Sequence, residues 1–318
     1  MTVERFRIKS AAVKSDGVVL SSVFAELSRR QLPAGGWAAL QSSVQASLES
    51  TCLATLAIGS EDSDEARLAQ EFLVRVQNPN GSWPAFLGDD QDGAWVTSLA
   101  AIALRDVATA IPARLSGIHW LMKCEGKEAN WFWRWKFLTA DRHVRFDPDK
   151  FGWPWIQDTV SWVVPTAFAI LALSQVPCAC GSLEDIPPRV DLGFEMLMDR
   201  ACPGGGWNAG SGVVYGSTVA PHPDDTAIAL LALNNRTQHP VVQASLEWLE
   251  RTAQTLTAPW SLAWAILALA AHGRAVALLI TTLMALPDLS GNDDTCTLAL
   301  VCLAADCGRA LAAFGVNL

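Results

Sequence analysis

The sequence predicts an all-α protein, six helix-pair repeats closing on themselves as an α6/α6 barrel, with six inner helices ringed by six outer ones. Three observations predict it. A helix rich in Ala and Leu recurs six times. A Gly-Trp loop precedes several of the copies. More polar segments with helical period lie between them. A repeated unit of this kind can bury its apolar surface only against its neighbours.

The inner helices are the clearest element. TCLATLAI begins at Thr51, TSLAAIAL at Thr97, TAFAILAL at Thr166, TAIALLAL at Thr226, LAWAILAL at Leu262 and TCTLALVCL at Thr295. Small residues three apart allow close helix packing, and uniform apolarity marks helices buried all round. The loops read GGW at Gly35 to Trp37, GSW at Gly81 to Trp83, GWPW at Gly152 to Trp155 and GGW at Gly205 to Trp207. Outer helices are predicted at Ser63 to Gln77 and Val241 to Gln254, where apolar residues recur at the spacing of one helix face. Closure is preferred to an open solenoid because the inner helices are apolar on every face and neither end offers a polar cap.

The predicted layout is a lead-in helix within residues 1–32 and a single barrel domain over 33–318, with an insertion at about 124–155. In the insertion, from Asn130 to Trp155, Arg134, Lys136, Arg142, Arg145 and Lys150 alternate with aromatics. It reads as a lid or diphosphate clamp beside a cavity, as a membrane-facing patch, or as a packed surface excursion.

Composition bounds the function. The 318 residues are 51% hydrophobic and 17% charged, enough apolar matter for a large core and a greasy cavity. A net charge of −9 with no long Lys/Arg run excludes nucleic acid as a partner. The opening MTVERFRIKS has no apolar stretch behind its charges, so no signal peptide is expected. The longest greasy region, Ala258 to Leu286, is interrupted by His272, Gly273 and Arg274 and falls short of a membrane span. The expected location is cytoplasmic, and an apolar surface patch would suffice for peripheral membrane contact. Eight cysteines without a CxxC pair read as small core residues in a reducing compartment. There are 14 Trp against one Tyr, so the chain favours the largest π face.

Each loop enters its inner helix from the same direction, so all six inner helices should start at one end. That ring would hold Glu49, Trp95, Trp162, Asp224 with Asp225, Trp260, and Asp293 with Asp294. The sharpest part is APHPDDTAIALLAL, Ala220 to Leu233, with two carboxylates at the mouth of an apolar helix. Capping needs one Asp. Two in an apolar site disfavour double ionisation, so one stays protonated near neutral pH. Trp faces attract a cation without reacting with it, by about 2 kcal/mol or more each when desolvated. Trp95, Trp162, Trp260 and Trp264 are the candidates, with Asp293 and Asp294 as further substrate-facing groups. GNDDTCTLAL, which holds that second Asp-Asp-Thr, also fits a recurring helix cap. Asp89, Asp90 and Asp92 could hold Mg²⁺ and a diphosphate, or simply form an acidic turn. A zinc site would need Asp199, Cys202 and His222 to converge; otherwise no metal or cofactor is expected.

FLVRVQNPNGSW, Phe72 to Trp83, places Gln77, Gly81 and Trp83 at Q-x3-G-x-W spacing. It resembles the QW repeat of squalene–hopene cyclases and related class II terpenoid cyclases, with the other Gly-Trp loops as looser copies. The same α/α barrel is shared with the β subunits of protein prenyltransferases. HPDDTA is similar to the D-x-D-D-T-A motif of the cyclases, whose middle Asp protonates an alkene or epoxide. The resemblance implies Asp224 as acid, Asp225 as its electrostatic partner and His222, in place of the first Asp, as modulator. The chain has one barrel where those cyclases usually carry two. The function implied is protonation-initiated cyclisation or isomerisation of an isoprenoid in a Trp-lined cavity. Two other readings share the barrel: a non-catalytic carrier of isoprenoid or lipid, and a zinc-dependent prenyltransferase-like enzyme. The expected partner throughout is a hydrophobic small molecule.

Overall fold

The computed structural model describes residues 17–59, 63–89, 91–140, 143–176 and 184–316, which are mostly helical. In chain order the described helices are α1 (17–29), α2 (Leu48–Ile58), α3 (Asp64–Arg75), α4 (Val96–Ala103), α5 (Ile111–Lys123), α6 (Trp131–Thr139), α7 (Val163–Ser174) and α8 (Ile186–Arg200). There follow α9 (Pro223–Ala232), α10 (Pro240–Ala253), α11 (Pro259–Ala271), α12 (Ala277–Met284), α13 (Thr295–Ala305) and α14 (Cys307–Ala313). Two short antiparallel hairpins interrupt them. Strand β1 (Trp37–Ala38) pairs with β2 (Ala46–Ser47), and β3 (Val213–Val214) with β4 (Ser217–Thr218).

The six Ala/Leu repeats are α2, α4, α7, α9, α11 and α13, and they are buried on nearly every side. Each packs against two of the others: α2 on α4, α4 on α7, α7 on α9, α9 on α11, α11 on α13, and α13 back on α2. Helices α3, α5, α8, α10 and α12 pack outside α2, α4, α7, α9 and α11. Amphipathic pattern explains the division. In α3 only Ala66, Ala69, Phe72 and Leu73 are buried, one stripe of an otherwise polar helix. Segments far apart in the chain meet between α13 and α2. Thr295 N donates to the Ala39 carbonyl, and the Arg309 guanidinium donates to the carbonyls of Leu56 and Ala57 at 3.1 and 2.6 Å.

The Gly-Trp loops have a common structural use. The indole N–H of Trp37, Trp83, Trp153 and Trp207 donates to the carbonyls of Leu27, Leu73, Leu121 and Leu197, each on the preceding outer helix. The backbone N–H of the same four Trp donates to Thr51, Thr97, Thr166 and Thr226 at the start of an inner helix. One buried Trp therefore fastens an outer helix to the next inner one. In the first two loops a Gln adds a second tie. Gln77 Nε2 donates to the Gly81 and Ala113 carbonyls, and Gln31 Nε2 to those of Gly35 and Glu65. Residues 31–37 are thus a full Q-x3-G-x-W copy, not a looser one. Gly81 is required at φ +94°, where an added Cβ would lie 2.6 Å from the Ser116 carbonyl oxygen.

Helix α6, WFWRWKFLT, has no buried residue. Its outward face is Trp131, Phe132, Trp135 and Leu138, all exposed. Spacings of four and three put them on one side of the helix. Lys127 and Lys136 lie over the Trp133 ring, 4.0 and 4.6 Å from its centroid. Arg134 pairs with Asp149 and Lys150 with Asp147. Arg142 lies outside the described residues. Among the described residues no single helix is long and apolar enough to cross a membrane, and the apolar pair α13 and α14 is bent by 110° between them.

Candidate active site

A cavity of about 250 Å³ opens where the inner helices begin. The first turns of five of them line it, with Glu49 on α2, Trp95 before α4, Val164 on α7, Asp224 and Asp225 on α9, and Trp260 on α11. Trp155, Phe168 and Trp264 complete an aromatic belt. Trp95 stands edge-on to Trp155 at 5.0 Å between centroids, Phe168 lies 5.5 Å from Trp95 and 5.8 Å from Trp264, and Trp264 meets Trp260 at 6.0 Å. The Trp264 indole N–H is buried without a hydrogen-bond partner among the described residues. The loops leading to α4, α7 and α9 expose Phe86, Leu87, Ile156, Tyr215 and Val219.

The acidic pair does not cap its helix. The N-cap of α9 is His222, with Pro223 at the first helical position, and no backbone N–H bonds either carboxylate among the described residues. Proline at that position starts the helix before the Asp pair, so both carboxylates sit within its first turn. His222 Nδ1 is 2.9 Å from Asp225 Oδ2, with the imidazole largely exposed and the carboxylate largely covered. Ser261 Oγ donates to Asp224 Oδ1 at 3.4 Å. Burial pushes the Asp225 carboxyl up, His222 pulls against it, and Asp224 adds repulsion that raises it.

The second Asp-Asp-Thr is used differently. Asp294 is the N-cap of α13, accepting from Thr297 N at 2.8 Å and Thr297 Oγ1 at 2.5 Å. Asp293 is exposed, its carboxylate accepting from Gln41 N at 3.0 Å. Neither lines the cavity, so the substrate-facing expectation for this pair gives way to capping and loop anchoring. Trp162 is also elsewhere. It precedes α7 in extended conformation and lines a separate pocket with Glu128, Phe137, Phe146 and Arg200, while Val164 takes its place in the cavity.

Glu49 is the acidic group that the motif left without a role. It belongs to the expected ring but to no motif. Burial first and Asp294 second push its carboxyl up to about 7, and no hydrogen-bond partner holds it among the described residues. Its neighbours Cys52 and Cys296 are both held as thiols, chiefly by burial. A carboxyl that is more basic folded than unfolded costs stability as pH rises from its ordinary value, 4.5, towards 7. Glu49→Gln should therefore be more stable than the parent at pH 8, by about 3 kcal/mol, and nearly equal to it at pH 4.5. Urea unfolding at both pH values checks this; an equal difference at the two would refute it.

Each residue of the zinc expectation faces another group. Asp199 pairs with Arg200 and accepts from Asp147 N, the Cys202 thiol faces the Asn208 amide, and His222 faces Asp225. Of the acidic run before Trp95, Asp90 lies outside the described residues. Among the described residues no group of three or more His, Cys, Asp or Glu side chains is placed to hold a metal ion. None of Arg134, Lys136, Arg145 or Lys150 lines the cavity.

The fold has neighbours among solved structures. The chain is similar in structure to a variant of the type II terpene cyclase MstE from Scytonema, with a TM-score of 0.59 and 11% identity over 95% of this chain and 99% of that one. It is also similar to a novel alpha-amylase from Clostridium perfringens, at 0.62 and 9% over 91% and 97%, and to a protein from Actinoplanes, at 0.57 and 14% over 94% and 99%. At these identities the likeness is one of fold, and the amylase shows that the fold alone does not choose the chemistry. No family model and no curated protein matches the chain.

Proposed function

We propose that the protein is a terpenoid cyclase-like enzyme that starts the cyclisation or isomerisation of an isoprenoid by protonating a double bond. On this reading the closed series of inner helices is an α6/α6 barrel, a single domain over 33–318 carrying the 124–155 insertion. The carrying observation is the uncapped Asp224–Asp225 pair, which faces an aromatic cavity and is tied to solvent through His222. Asp224 is the acid, since the outer oxygen of Asp225 is engaged by His222. Asp225 is its partner, and the exposed His222 returns protons from water. Trp95, Trp260, Trp264 and Phe168 face the cation that results. A pocket of about 250 Å³ is smaller than the roughly 300–1,000 Å³ typical of drug-sized ligands. It would enclose the reacting end of a chain and leave the rest along the apolar rim. The test is incubation with squalene and C10 to C20 prenyl diphosphates in heavy water, with mass spectrometry of the extract. A cyclic or isomerised product carrying deuterium supports the reading, and recovered substrate bound to the protein favours a lipid carrier.

The outward face of α6 is the proposed membrane contact. Trp131, Phe132, Trp135 and Leu138 would enter the interface, with Lys127 and Lys136, free of carboxylate partners among the described residues, meeting anionic headgroups. Co-sedimentation with vesicles containing anionic lipid should fall at least tenfold for a Trp131→Ser/Trp135→Ser double variant. Equal binding by parent and variant removes this face from the proposal.

A further inference from the structure

We infer that Glu49 is the base that ends the reaction, taking the last proton from the far side of the cavity; the inference rests on the protonation reading above. The order of the inner helices places it. Counting round α2, α4, α7, α9, α11 and α13, the helix opposite α2 is α9. Glu49 and the Asp224–Asp225 pair thus face one another across the same cavity, with Trp95 and Phe168 on one side and Trp260 and Trp264 on the other. A cation that forms beside the Asp pair and migrates along a folded chain passes over the joined rings of Trp95, Phe168, Trp264 and Trp260 and ends at Glu49.

Glu49 is the carboxylate suited to this. Asp294, its neighbour on α13, is committed to capping, and Asp225 is held by His222. Glu49 has no hydrogen-bond partner among the described residues, and it lies between ionised and neutral forms near neutral pH because of burial and the Asp294 charge. The other titratable groups around it are Cys52 on its own helix and Cys296 on α13, both held as thiols, and Asp224 and Asp225 across the cavity.

The step balances without a further reagent. The Asp224 O–H gives its proton to one alkene carbon, and the π pair becomes the new C–H bond. A second alkene closes a C–C bond onto the cation and passes the charge on. Glu49 removes a proton next to the final cation, and that C–H pair becomes the new double bond. Glu49 returns its proton to water, and Asp224 is reloaded through Asp225 and His222. The substrate is isomerised.

The test compares the parent, Glu49→Gln and Asp224→Asn on squalene and C10 to C20 prenyl diphosphates in heavy water. Glu49→Gln should still consume substrate and incorporate one deuterium, while the parent product falls at least tenfold in favour of alcohols or shifted alkenes. An unchanged product overturns the inference and leaves the cyclase reading intact. Consumption lost as fully as in Asp224→Asn also overturns it, making Glu49 part of the initiating acid. A parent inert on every probe sinks the cyclase reading itself. Glu49 is then decided separately by calorimetric titration with N,N-dimethyldodecylamine, whose cation mimics the intermediate. At pH 8 its affinity should fall at least tenfold in Glu49→Gln, and equal affinities reject a cavity-facing carboxylate.

Discussion

Asp224→Asn is expected to abolish the proposed proton transfer and to leave the fold intact. The amide keeps the shape of the acid and its place in the first turn of α9, so stability should move little. It has no proton acidic enough for an alkene. A positioned general acid contributes about 10²–10⁴-fold, and that is the expected fall in turnover. Asp225→Asn should cost less, because it removes the partner and the link to His222 but not the donor. Thermal unfolding alongside product formation separates the effects. If Asp225→Asn is the more damaging of the two, the roles within the pair are reversed. The rise in the Asp225 carboxyl from burial and from the Asp224 charge makes that outcome informative.

Trp83→Ala unfolds or nearly unfolds the protein. The side chain is fully buried, its indole N–H bonds the Leu73 carbonyl at 2.7 Å, and its backbone N–H bonds Thr97 at 2.9 Å. Truncating a buried Trp costs about 3–5 kcal/mol against a typical total of about 5–15. Trp83→Phe keeps most of the volume but leaves a buried carbonyl unpaired, at about 1–3 kcal/mol. Trp131→Ala, on an exposed face of α6, should lie within about 0.5 kcal/mol of the parent. Urea midpoints for the three variants decide it. A loss below 1 kcal/mol for Trp83→Ala would mean that these Trp ties are incidental.

Much of the architecture was legible because a buried helix has few compositions available to it. Six Ala/Leu runs marked the inner helices, and the Gly-Trp loops marked where each begins. The Asp224–Asp225 pair was legible for the same reason, as charge where the pattern calls for apolar residues. Pro223 held a further signal: it starts α9 ahead of the pair, whereas no proline precedes Asp294 and that residue becomes the cap. Gln31 likewise completed a motif copy that stood in plain view.

Other features had no local signature. Trp162 and Trp95 both stand just before an inner helix, yet the backbone is extended at one and helical at the other, and only Trp95 reaches the cavity. Trp155 and Phe168 belong to a loop and a core run, and nothing nearby in sequence marks them as cavity wall. Glu49 carries no motif. The sequence by itself determined the repeat, the buried inner helices and the acidic pair, because each follows from periodicity and composition within a dozen residues. Which of the aromatic and acidic residues share one cavity was decided only by tertiary structure. The return of α13 onto α2, which brings Ser50 and Cys296 together across 246 positions, sets Glu49 opposite Asp224 and lets burial and Asp294 raise its carboxyl to about 7.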